Sequence, residues 1–331
     1  MTLPVIRADW LRRPQTVKLF EVLGADNLRA VGGCVRDSLR HPETSNDILD
    51  IDMATPYEPE KVIELLGAAD IKVIPTGLKY GTVTALLDGF HYEITTLRRD
   101  VETDGRHARV AYGTDWAEDA GRRDFTINAL YCDSAGQLYD PLGSGLADLT
   151  ASKVVFIGDA PARIQEDYLR VLRFFRFQAL IAKENSPDAA ALEACRKAAQ
   201  IGQGLANLSG ERLQQELIKM LMIPNPIPAL EMMLEAGVLA FVLPLNAMRP
   251  GLERLRRLLA FDVSIGAVDP ILRLTALIAP DPQQVEKLAA HLRLSNRLKE
   301  RIVSLLRGPH SDQLIKADNY VKLAYRMGKE A

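Results

Sequence analysis

Apolar residues at helical spacing open the chain. Trp10, Leu11, Val17, Leu19, Phe20 and Leu23 predict an amphipathic helix over residues 9–24. A short apolar run at 28–31 stops at Gly32-Gly33, the pattern of a strand entering a tight turn, and residues 35–39 open another helix. Residues 49–53 alternate around Asp50 and Asp52, which predicts a strand with Ile51 and Met53 facing the core. Residues 58–66 are helical by pattern, and three strand-like runs follow at 71–74, 82–87 and 91–97. Asp88-Gly89 predicts a hairpin turn between the last two. Residues 100–121 are polar, carry glycines at 105, 113 and 121, and predict a long mobile loop of the kind that is often functional.

The periodicity changes after Asp159. Helical spacing then dominates at 164–181, 189–200, 211–221, 228–236, 251–259, 270–278, 285–292 and 297–306, and strand-like stretches vanish. The pattern predicts a mixed α/β layer followed by an all-helical portion, with the boundary between residues 150 and 160. No internal repeat or low-complexity tract interrupts it.

Composition adds little to the fold and more to the setting. At 331 residues and 47% hydrophobic the chain can build two or more cores. The net charge of −2 does not mark a nucleic-acid binder, but from Arg249 onward fifteen Lys and Arg stand against nine Asp and Glu. A basic C-terminal portion can track a phosphate backbone, and solvated helix faces produce the same count. Cys34, Cys132 and Cys195 have no metal or disulfide spacing, which fits a reducing cytoplasm. The first residues lack a secretory apolar core, and no apolar run approaches the ~18 residues of a membrane span. The expectation is a soluble, cytoplasmic protein with no membrane association.

The chemistry concentrates in a few clusters. In a strand, Asp50 and Asp52 project from one face, and adjacent carboxylates repel unless a divalent cation lies between them. Hard oxygen ligands suit Mg²⁺, which also bridges substrate phosphates. Asp-x-Asp alone is common on solvated surfaces. Glu93, on a neighbouring predicted strand, is a third candidate carboxylate, or an ordinary exposed glutamate. Gly32 and Gly33 let backbone approach a phosphate at a helix start, with Arg36 one turn further in; a plain strand–turn–helix junction looks the same. Arg122-Arg123-Asp124-Phe125-Thr126-Ile127-Asn128-Ala129 pairs two arginines with an apolar anchor, the makings of a phosphate clamp in which Asp124 orients one arginine.

Residues 166–176 read as one helix on which Asp167 and Arg170 share a face, with Arg173 and Arg176 extending a basic stripe and Leu169, Leu172 and Phe175 opposite. A salt-bridged amphipathic helix has the same pattern. The sharper reading is a base reader. Cytosine and adenine each place an amino donor beside a ring-nitrogen acceptor, which a carboxylate and a guanidinium complement, whereas guanine and uracil leave polar groups unpaired. Other chemistries are disfavoured. There is no Walker loop and no G-x-S-x-G, and residues 143–148 break the dinucleotide fingerprint. His41, His91, His107, His291 and His310 form no zinc spacing.

Taken in order, these clusters resemble the class II, poly(A) polymerase-related family of CCA-adding tRNA nucleotidyltransferases. Gly32-Gly33-x-x-Arg36-Asp37 with Asp50-x-Asp52 resembles its first motif, and residues 122–129 resemble its second. Glu166-Asp167-x-x-Arg170-x-x-Arg173-x-x-Arg176 resembles its base-reading motif, and residues 209–217 its neck-helix motif. The resemblance implies an α+β, polymerase-β-like head with a mixed sheet over 1–155, a helical neck over 156–222, and an all-α body and tail over 223–331 that binds tRNA. It implies Mg²⁺ on Asp50 and Asp52, with Glu93 as a further catalytic carboxylate. It implies CTP or ATP held by Gly32, Gly33, Arg36, Arg123, Asp124, Asn128, Asp167, Arg170, Arg173 and Arg176. The tRNA 3′ hydroxyl would attack the α-phosphate. An A-adding enzyme or a poly(A) polymerase shares these motifs, and a noncatalytic RNA-binding protein is a third reading. Two departures stand out: the 40–49 connection is long and includes Asp47, and the tail after Tyr325 is short for the family.

Overall fold

The computed structural model describes residues 3–42, 48, 50–103, 108–182, 187–244, 248–265, 268–278 and 281–307. Asp47, most of the 40–49 connection and the tail beyond Arg307 lie outside the described residues. The chain divides into two compact units, residues 1–166 and 167–331.

Among its described residues the first unit has nine strands: β1 (Arg29–Val31), β2 (Ile51–Thr55), β3 (Lys72–Gly77), β4 (Thr82–Leu87), β5 (Phe90–Thr96), β6 (Arg98–Thr103), β7 (Ala108–Tyr112), β8 (Tyr131–Cys132) and β9 (Leu138–Tyr139). Seven form one sheet in the order β3-β4-β5-β2-β1-β8-β9, and β6 pairs with β7. β2 and β5 run parallel while the other pairs are antiparallel, so the sheet is mixed as expected. Ile51 and Met53 are buried and Asp52 is exposed, the alternation that residues 49–53 predict. The hairpin forms at Asp88 (φ 46°) and Gly89 (φ 84°), both in the left-handed region that a two-residue turn of this hand requires.

Two local expectations are corrected. Residues 9–24 are two helices, Asp9–Arg12 and Pro14–Leu23, because the Pro14 ring bars Arg13 from helical geometry and holds it at ψ 133°. Residues 100–121 are not one loop. They continue β6, supply β7 and then form the helix Trp116–Gly121, capped by the Asp115 side chain on the Ala117 N–H. Polar composition concealed them, since a two-stranded ribbon needs backbone pairing and little apolar burial.

Every element described in the second unit is a helix, as the pattern beyond Asp159 predicts. Four of the described helices start at polar caps. Asp188, Ser209, Asp269 and Asp281 each accept backbone N–H groups, and Pro270 and Pro282 occupy first helical positions. Phe174, Phe175, Leu217, Leu221, Leu230 and Leu274 lie in its interior. Arg273 is buried there too, its Nη1 donating to the carbonyls of Leu221 (2.7 Å) and Ile223 (2.6 Å) at the end of the helix Gly210–Leu221. The buried cation thus satisfies helix-terminal carbonyls that have no intrahelical partner.

Candidate nucleotide site

β1 runs into Gly32, whose φ of 75° and ψ of −121° are accessible to glycine and costly for any other residue. The turn launches the helix Gly33–Arg40, which begins without a side-chain cap, so its first N–H groups are open to an anion. A methyl group added at Gly32 would lie 3.8 Å from the Asn128 carbonyl, 3.9 Å from Arg123 Nη1 and 4.0 Å from Asp52 Oδ2. Gly32, Arg123, Asn128 and Asp52 therefore converge on one small space, although they span 97 sequence positions from first to last counted inclusively.

The arginines in this space are differently engaged. Arg36 is 5% exposed. Its Nε and Nη2 grip the two oxygens of Asp37 (2.9 and 2.8 Å), and its Nη1 donates to Asn128 Oδ1 (2.7 Å). Asn128 in turn donates to Asp124 Oδ1 (3.0 Å), which also accepts the Phe125 N–H (2.9 Å). Arg36 and Asp124 are thus ties across the turn, and a phosphate bond to Arg36 would have to replace one of them. Arg123 is the more open group. Its Nε and Nη2 face Asp119 Oδ2 (3.3 and 3.0 Å), while its Nη1 has no hydrogen-bond partner among the described residues and lies beside the Gly32 turn.

Asp119 was not anticipated. It is 1% exposed, accepts from Arg122 Nε (2.7 Å), Arg123 and the Tyr131 hydroxyl (2.7 Å), and so holds both arginines of the expected clamp. Burial opposes its charge, but the Arg123 and Arg122 guanidiniums outweigh burial and hold the carboxyl below its ordinary 3.8. Its spacing of three and four residues from the arginines, at a helix end, was the available signal.

Asp50 is exposed immediately before β2, Asp52 is exposed within it, and Glu93 lies directly across from Asp52 on parallel β5. Among the described residues no three His, Cys, Asp or Glu side chains are grouped to hold a metal ion. Two exposed carboxylates with an open neighbouring space still fit Mg²⁺, which keeps several waters and takes its remaining ligands from substrate phosphates. The negative potential here is felt in the first turn of the helix Gly33–Arg40. Burial first, and then the Asp52 charge, push the Cys34 thiol up to about 12.

The second unit carries the remaining candidates, with a correction. The helix expected across residues 164–181 is interrupted. Ala160–Glu166 ends in the first unit and Leu169–Ile181 begins the second, leaving Asp167 in the break. Asp167 is consequently a cap, accepting the Leu169 N–H on Oδ1 (3.1 Å) and Arg212 Nη2 on Oδ2 (2.7 Å). Arg170 is half-buried in the first turn of the helix. Arg176 is no exposed stripe residue. It is 12% exposed and donates to the buried Glu216 (2.6 Å), while Arg173 lies 3.7 Å from the same carboxylate. Both guanidiniums lie over the Phe177 ring, at 5.4 and 4.2 Å. Arg212 and Glu216 belong to the motif read at 209–217, but their partners 45 and 40 residues away were not legible.

Residues 28–155 match the family described as the Poly A polymerase head domain. That match lies within the first unit. The head is followed, over residues 186–248, by a match to the family described as the probable RNA and SrmB-binding site of polymerase A. The chain is 46% identical over 215 residues to the mitochondrial CCA tRNA nucleotidyltransferase 1 of Danio rerio, covering 64% of this chain and 48% of that protein. It is 33% identical over 281 residues to the CCA-adding enzyme of Streptococcus gordonii, covering 83% of this chain and 66% of that one. The chain spans about half the length of the vertebrate relatives it matches. Among solved structures, the Bacillus stearothermophilus CCA-adding enzyme in complex with CTP superposes with a TM-score of 0.62 at 27% identity, covering 94% of this chain and 69% of that one. The head, its mixed sheet and the helical unit after it are therefore an architecture this chain has in common with CCA-adding enzymes. No helix among the described residues is long and apolar enough to cross a membrane.

Proposed function

We propose that this protein adds C, C and A to the 3′ end of tRNA, using CTP and ATP as substrates and no template. One observation carries the reading: Arg123 Nη1, the Asn128 carbonyl and the Asp52 carboxylate within 4.0 Å of the space above Gly32. A triphosphate fits there, with its phosphates on the Gly32–Gly33 backbone and the open edge of Arg123. Asn128 and Asp124 keep the turn rigid through Arg36. Mg²⁺ would be held by Asp50 and Asp52, where it supplies charge stabilisation for attack by the RNA 3′ hydroxyl and for departure of pyrophosphate. Asp167 and Arg170 select the base, a carboxylate acceptor and a guanidinium donor matching cytosine and adenine alike.

Relatives named CCA-adding enzymes on both the sequence and the structure side support this reading. The same reading divides the chain into a head (1–155), a neck (156–222) and a tRNA-binding body and tail (223–331). It assigns Glu93 to the catalytic face beside Asp52, and it places the protein in a reducing, cytoplasmic setting that suits three buried free cysteines. A second reading, an A-adder or poly(A) polymerase, draws on the name of the head family itself.

The test offers the purified protein a tRNA lacking its terminal CCA, with CTP, ATP, UTP and GTP in turn and with all four together. Ordered C, C, A addition that stops after A is the expected product. Repeated A addition would replace this reading with the second, and no incorporation would leave only an RNA-binding protein.

A further inference from the structure

The expected phosphate clamp is held from behind by a residue that none of the motifs includes in its chemistry. Three successive carbonyls, those of Arg122, Arg123 and Asp124, leave the helix Trp116–Gly121 with no further turn to receive them. All three are taken by the chain just before the second unit. The Asp124 carbonyl accepts the Ile157 N–H (3.1 Å). The other two accept Nη2 of Arg163, at 2.8 Å for Arg123. The opposite nitrogen of the same guanidinium, Nη1, donates to Glu166 Oε2 at 2.6 Å. Arg163 is itself fixed. It sits on the helix Ala160–Glu166, capped by Asp159 on the Ala162 N–H (3.0 Å) and anchored by the buried Ile164. Its side chain is 12% exposed, so its bonds are little weakened by water.

We infer that Arg163 is a positioning residue for triphosphate binding. It pins the Arg122–Arg123 backbone so that Nη1 of Arg123 stays aimed at the Gly32 turn, and its bond to Glu166 keeps the guanidinium in that orientation. The inference rests on the nucleotide site proposed above. A guanidinium suits this place because its planar fork bonds two carbonyls and a carboxylate at once, which the single ammonium of lysine cannot do with the same geometry. Asp119 holds the Arg123 side chain and Arg163 holds its backbone. Only with both does Nη1 keep a single direction, and a clamp misplaced by about 1 Å loses much of its binding.

The experiment is a double-mutant cycle on the full chain, read as equilibrium dissociation constants for CTP and for ATP and as KM and kcat for incorporation into tRNA lacking CCA. The variants are Arg163→Ala, Arg123→Lys and the two combined, with Arg163→Lys as a milder second substitution and thermal unfolding recorded for each. Arg163→Ala is expected to weaken CTP and ATP binding by about tenfold, mainly in KM rather than kcat, as for loss of one charge-assisted bond. Arg163→Lys falls between it and wild type. In the Arg123→Lys background Arg163→Ala should have little further effect, because the fork it positions is already gone. An equal loss in both backgrounds, or a fall in kcat with KM unchanged, overturns the inference and leaves the proposed function standing. Triphosphate binding without incorporation by wild type overturns the proposed activity while the cycle still judges Arg163. A wild-type protein that binds neither triphosphate overturns both.

Discussion

Replacing Asp119 by Asn tests the electrostatics of the head most directly. The side chain keeps its shape and loses its charge, and both arginines lose their counter-ion. In the native head the Asp119 carboxylate, 1% exposed, is met by Arg122, Arg123 and the Tyr131 hydroxyl. Breaking a buried ion pair by removing one partner costs about 3–5 kcal/mol, because the remaining charge stays desolvated. Here the two guanidiniums keep 14% and 19% exposure, so water recovers part of the loss and the lower end applies, about 3 kcal/mol. For a unit of this size that corresponds to a fall of roughly 6–12 °C in midpoint temperature. The readout is specific, because the chain's two tryptophans, Trp10 and Trp116, both lie in the first unit, and Trp116 stacks edge-on against Tyr131 at 5.5 Å. Tryptophan fluorescence in a urea titration therefore follows the head alone. The pH dependence fixes the sign. Burial raises the Asp119 pKa, the two arginines lower it by more, and the folded value lies below the ordinary 3.8. Stability from this charge is therefore fully present above pH 3.8 and lost as pH falls through the folded value. The wild-type advantage over Asp119→Asn should shrink in strong acid and be constant near neutrality. A variant within about 0.5 kcal/mol of wild type at pH 7 would mean the pair behaves like a surface salt bridge, and the reasoning fails.

Three further outcomes follow from the same geometry. Asp52→Asn, at an exposed strand position, should leave the urea midpoint within about 0.5 kcal/mol of wild type and reduce nucleotide incorporation by about a hundredfold or more; retained incorporation would reject the metal assignment. Gly32→Ala forces a φ of 75° on a residue with a side chain, at a cost of about 1–3 kcal/mol, and places a methyl group where phosphate would approach; unchanged CTP affinity in a binding titration would argue against a triphosphate at this turn. Gly204→Ala would bring its methyl carbon to 2.2 Å from the Tyr168 ring, so Tyr168 must move, at about 1–3 kcal/mol. Since Tyr168 follows Asp167, competition assays with the four triphosphates should show loosened selection, and intact selectivity would separate the Asp167 turn from base choice.

The motif residues of the head were legible because their signals are local. A Gly-Gly stop after an apolar run, an Asp-x-Asp alternation and an Arg-Arg step before a buried Phe-x-Ile can each be read within ten residues. The Asp88-Gly89 hairpin was legible for the same reason, since the turn imposes positive φ on two adjacent residues. The Pro14 break was equally local, yet apolar spacing on both sides of it outweighed the ring in the reading. The break at Asp167 had no such marker. Helical periodicity runs through residues 164–181, and only the Arg212 partner and the capping of Leu169 reveal that Asp167 stands outside the helix. The strands β6 and β7 escaped because their sequence is polar, while their order comes from backbone pairing with each other over a register that is not visible in the sequence.

By itself, the sequence determined which residue types stand at the turns and strand faces, and hence that an α+β unit carrying the candidate phosphate-binding residues precedes a helical portion. Those properties depend on backbone preference and on periods of two and 3.6, which act over a few residues. The tertiary structure decided which arginines are spent and which are open. Arg36 is consumed by Asp37 and Asn128, Arg176 by Glu216, and Arg123 is held by Asp119 with one nitrogen left facing the turn. That division depends on burial and on partners up to 92 positions away, where a charge must find its counter-ion once water has been excluded.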